Sequence, residues 1–111
     1  MMKGVLIEAE KIIKEIREAM PSLPRFKLRA TRNRRVYGYF YVQKNEITLS
    51  RYWYNRHPET LEATILHEIA HYLQYKINPY DLEVHGPLFR SMCKKVSPIL
   101  GVSTHDLIWR Y

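Results

Sequence analysis

Apolar side chains recur at Leu6, Ala9, Ile13, Ile16 and Met20, with Lys11, Lys14, Glu15 and Arg17 between them. That helical period predicts a first helix over residues 4–20, which Pro21 and Pro24 end. The period then drops to two. Phe26, Leu28 and Ala30 alternate with Arg25, Lys27 and Arg29. Val36, Gly38, Phe40 and Val42 alternate with Arg35, Tyr37, Tyr39 and Tyr41, and Ile47 and Leu49 with Glu46, Thr48 and Ser50. Three strands are expected, 25–31, 35–42 and 46–50, each with one buried and one wet face, in an antiparallel meander. Turns fall at 31–34 and 43–45. The third strand is then an exposed edge, free to pair with an extended peptide.

Residues 51–56 read as a loop leading to a long helix over 58–76. Pro58 suits its first position, and Glu59 and Glu62 suit its N-terminal dipole. Asn78-Pro79 closes it, and 79–85 is a linker. Pro87 opens a last helix to about residue 97, with Leu88, Phe89, Met92, Cys93 and Val96 on its apolar stripe. Gly101 begins an extended tail. The fold class expected is α+β: a helix, a small three-stranded sheet and two further helices forming one domain over 1–101, then a tail over 102–111.

Composition narrows the class. At 111 residues, 46% of them hydrophobic and 26% charged, the chain suits one soluble globular domain. No apolar run reaches the roughly 18 residues of a membrane span. Glu8 and Glu10 interrupt the N-terminal stretch before a signal-peptide core forms, so a cytoplasmic location is expected. The lone Cys93 cannot form a disulfide within the chain. The net charge of +7 favours polyanions in general and specifies no partner.

The chemistry lies in His67-Glu68-Ile69-Ala70-His71, followed fourteen residues later by His85-Gly86-Pro87-Leu88-Phe89. Residues advance about 100° each along a helix, so His67 and His71 lie about 40° apart and project together. Leu61, Ile65, Leu66, Ile69 and Leu73 fall roughly opposite. Two imidazoles so placed fix two corners of a zinc tetrahedron, and a catalytic site needs three protein ligands and one open position. His85 is the third ligand expected. Asp81, Glu83, His57, His105 and Asp106 compete with it, Glu83 most seriously. Glu68, on the flank of the histidine pair, is placed to act as general base and acid toward a zinc-activated water. Tyr72, Tyr75, Tyr80 and Arg90 are candidates to stabilise an oxyanion. A pair of surface histidines on a structural helix would satisfy the spacing alone. The amphipathic setting and the downstream histidine weigh against that.

With those motifs in view, residues 64–73 and 85–89 resemble the SprT-like metallopeptidases, whose third histidine lies in an H-G-x-x-F context. The small set of elements is also similar to that of the minigluzincins, single-domain zincins. The resemblance implies a minimal zincin domain and a zinc metalloendopeptidase, with one catalytic Zn2+ on His67, His71 and His85 and with Glu68 as base. It covers roughly residues 5–100, and only 58–92 carries specific motifs. Minigluzincins resemble zymogens, which implies a latent form here: an inhibitory tail lying along the cleft, with His105, Asp106 or the Tyr111 carboxylate on the metal. A tail that packs on the surface or frays is an equal alternative.

Arg25, Lys27, Arg29, Arg32, Arg34 and Arg35 lie close to Tyr37, Tyr39 and Tyr41, as in proteins that bind single-stranded nucleic acid. The resemblance adds that SprT-like enzymes act near DNA. A solvated sheet face accounts for the same pattern and is preferred, since no zinc ribbon follows the domain. The expected partner is a peptide or protein substrate, with no membrane, and the chain a monomer or weak dimer. The alternative is a SprT-like DNA-associated protease, or a nucleic-acid-binding module with a structural or vestigial zinc.

Overall fold

The computed structural model describes residues 4–109. Helix α1, Val5–Ala19, buries Val5, Ala9, Ile13 and Ile16, one stripe of its amphipathic surface. Strands β1, Lys27–Thr31, β2, Gly38–Tyr41, and β3, Glu46–Ser50, form a single sheet. Short helix α2 spans Arg51–Arg56, and a 3-10 turn at Pro58–Thr60 leads into α3, Leu61–Ile77. Helices α4, Pro87–Leu100, and α5, Thr104–Trp109, complete the α+β domain. Among the described residues no helix is long and apolar enough to cross a membrane.

The sheet order is β1-β3-β2, with β1 parallel and β2 antiparallel to β3. This corrects the meander, and with it the exposed third strand: β3 is central, and all five of its residues are buried. Alternation marks which face of a strand is apolar and does not say which strand lies beside it. Here residues 32–37 do not turn tightly but reach across the end of β3. The Asn33 side-chain oxygen accepts from the N–H groups of Arg35 and Val36. Ser50 Oγ donates to Asn33 O at 2.6 Å, Ser50 N–H donates to Tyr37 O, and the Trp53 indole donates to Arg34 O. The β2–β3 hairpin closes through a 3-10 turn at Val42–Lys44, with Asn45 in the left-handed region at φ 51°.

Register puts Leu28, Ile47 and Phe40 in one inward row and Ala30, Leu49 and Gly38 in the next. The helices cover this face, α1 against β1 and α3 against β2. Gly38 lets α3 come close. A Cβ there would lie 2.8 Å from Thr64 Cγ2 and 3.5 Å from a Glu68 oxygen. The edge strand β2 is thereby held against the turn of α3 that carries Glu68.

Three further expectations are adjusted. Residues 51–56 are helical because Ser50 Oγ caps them, accepting from Trp53 N–H at 3.2 Å. Helix α4 continues past Pro98 to Gly101, which caps it at φ 70°. The Lys94 carbonyl, deprived of the Pro98 N–H, accepts from Ser97 Oγ instead. The tail is helical, not extended: Ser103 Oγ accepts from Asp106 N–H and starts α5, which packs on α3 and α4 with Leu107 fully buried.

Candidate metal centre

Helix α3 passes through the interior, and its segment 63–70 is buried on every side. His67 and His71 lie one turn apart on it, and His85 approaches from the loop before α4. The Nε2 atoms of His67 and His71 are 3.2 Å apart, as are those of His71 and His85. The ligand atoms of all three fall within 4.8 Å of one another. Zinc–nitrogen bonds of about 2.0–2.1 Å in a tetrahedron put ligand nitrogens about 3.3 Å apart, so two of the three pairs have the spacing a zinc ion would take.

Proton positions support this. His67 Nδ1 lies 2.7 Å from the Leu107 carbonyl oxygen, which can only accept, so Nδ1 carries the proton and Nε2 is a bare lone pair. His71 Nδ1 donates to Gln74 Oε1 at 3.2 Å, which bares its Nε2 as well. Facing lone pairs at that distance repel, and a cation between them would relieve the repulsion. Burial holds His67 and His71 neutral, lowering each to about 4 from an ordinary 6.5; it moves His85 in the same direction. Neutral imidazole is the form that binds metal. The donors therefore fit a borderline divalent cation such as zinc.

Phe89 is the floor of the centre. It is fully buried, stacked on His71 at 4.3 Å and edge-on to His67 and His85 at 4.9 and 5.0 Å. Phe89 lies in the first turn of α4 and His85 just before its Gly86 cap, so the H-G-x-x-F spacing brings the imidazole and the ring together at one helix end. Gly86 is required for space, because a Cβ there would meet the Glu83 side chain at 2.5 Å.

Glu68 is 4% exposed, and burial pushes its carboxyl up to about 8. With the three histidines it borders a cleft of about 520 Å³. Arg35 to Phe40 and Val42 form one wall; Asn78, Pro79, Asp81, Val84 and His85 form the other, with Gln74 and Tyr75 between them. Of the oxyanion candidates only Tyr75 lines it. Tyr72 packs edge-on against Phe26 and Phe40, while Tyr80 and Arg90 are exposed and lie outside the cleft lining.

These features decide the relationship. The SprT-like family model matches residues 7–106. The chain belongs to the SprT-like family. No curated protein and no solved structure matches it. Membership agrees with the three-histidine set and with the H-G-x-x-F context that carried the resemblance. The competing candidates of this SprT-like domain stay out of the three-histidine cluster, although Asp81 lines the same cleft. His57 pairs with Glu59 at 3.4 Å, Asp81 accepts from Gln74, and neither they nor Glu83, His105 or Asp106 join the described cluster. No described tail residue lines the cleft, and the Tyr111 carboxylate lies outside the described residues. Gln74 and Leu107 were not anticipated as site residues. The Ser103-x-x-Asp106 cap signal could have located the tail helix, but nothing in the sequence marks its carbonyl as a partner of His67.

Proposed function

We propose that this SprT-like chain is a zinc metallopeptidase. The observation that carries the reading is the convergence of three imidazoles, two of them with bare Nε2 atoms, beside a buried carboxyl in an open cleft. His67, His71 and His85 would hold the ion. Zinc held there would supply a water of pKa near about 7 and a Lewis acid for a carbonyl. Glu68 would accept a proton from that water and return it to the departing amine. Its buried carboxyl would be charged with a cation beside it. The substrate lies along β2, the strand whose free edge borders the cleft, so a peptide can add to the sheet with its scissile carbonyl above Glu68.

Chelator-stripped protein should not cleave a mixed peptide library, and one equivalent of zinc should restore cleavage. Cleavage that is indifferent to stripping would contradict the proposal, as would zinc-loaded protein that leaves every peptide intact. A second reading draws on the outer sheet face. There Lys27 and Arg29 lie in register with Tyr41 and Tyr39 across β3, and all four are exposed. Single-stranded nucleic acid would meet stacking rings beside cations on that face.

A further inference from the structure

The loop that delivers His85 has little apolar anchorage. Tyr80, Leu82 and Val84 are 86%, 94% and 57% exposed. A ligand on such a loop would wander unless something polar held it. One buried side chain does. Gln74, 6% exposed, donates from Nε2 to Asp81 Oδ2 at 3.0 Å and to the Glu83 carbonyl at 3.1 Å. Asp81 Oδ1 accepts in turn from Glu83 N–H, and the Glu83 carbonyl also accepts from Gly86 N–H, the residue after the ligand. The loop is thus wound around a single amide.

The same amide sets His71. A carboxylate and a carbonyl only accept, so they fix which end of Gln74 carries the NH2 group. Its oxygen must then face His71 Nδ1, which carries a proton to donate, and Nε2 is left bare toward the cluster. We propose that Gln74 is a positioning residue that couples two metal ligands: it sets the tautomer of His71 and pins the loop that presents His85. This rests on the reading of the three histidines as a metal site. It does not depend on peptidase activity.

The test is zinc affinity, measured on the full chain by competition with a chromophoric chelator. Gln74→Met keeps the bulk and removes all three hydrogen bonds, and should weaken zinc binding about 10- to 100-fold, the usual effect of losing a ligand's supporting partner. Asp81→Ala removes the carboxylate part of the loop side and leaves the bonds of Gln74 to the Glu83 carbonyl and to His71. It should weaken binding several-fold in the parent chain and have no effect in a His85→Ala background, where the loop presents no ligand. A merely structural role would not show that dependence on background. If Gln74→Met fails to fold, the Asp81 comparison decides alone. Affinity within twofold of the parent for Gln74→Met, or an equal Asp81→Ala loss in both backgrounds, overturns the inference. An unaltered chain that binds no zinc would overturn the metal reading along with it.

Discussion

Burial acts in opposite directions on the histidines and on Glu68, and the two effects separate by pH. His67 and His71 fall from 6.5 to about 4, so between those values the unfolded chain holds more protons. Their contribution to stability is present above pH 6.5 and is lost as pH falls toward 4. Glu68 rises from 4.5 to about 8, so its contribution is present below 4.5 and is lost as pH rises through 8. Metal-free protein should therefore melt highest near about pH 6–7. Glu68→Gln should flatten the alkaline decline and leave the acid one. Thermal melts across pH check this, and an identical alkaline decline in both proteins would refute it. At this scale the histidine cluster is legible in the sequence and its supports are not. His67, Glu68 and His71 are legible because helix geometry alone brings them together, and His85 because Gly86-Pro87 ties it to a helix start. Gln74 reads as an ordinary helix residue, since its partners are set by a loop whose path no local pattern encodes.

Among the elements, strands were visible and their order was not. Ile47 and Leu49 announce a buried face, but nothing local says that β1 lies on one side of β3 and β2 on the other. That arrangement follows from Asn33 and Ser50 folding residues 32–37 over the sheet end. Helix α5 stands where the sequence offers an extended plug or a tail packed on the surface. Its described residues instead fill a core position with Leu107 and offer that residue's carbonyl to His67 from behind. Ending the chain after Gly101 removes both. Loss of one fully buried leucine costs about 2–5 kcal/mol, so the shortened chain should melt lower and bind zinc more weakly. Greater peptide cleavage with an unchanged midpoint would instead mark the segment as an inhibitor and contradict a supporting role.

At the scale of the molecule, each layer brings one part of the centre. Helix α3 carries two histidines and the carboxyl through the interior, and α4 adds Phe89 and anchors the loop bearing His85. The sheet presents the free edge of β2, with Tyr39, along the cleft, while Lys27, Arg29 and Tyr41 on its other face lie outside the cleft lining. The central claim is that these parts meet to bind zinc through histidines and to move protons through Glu68. The most direct measurement is zinc content and peptide turnover on the same preparations of parent and Glu68→Gln protein. The account predicts one zinc per chain in both, with turnover reduced about 10²- to 10⁴-fold in the variant. A zinc-loaded Glu68→Gln protein that cleaves peptides as fast as the parent would contradict it.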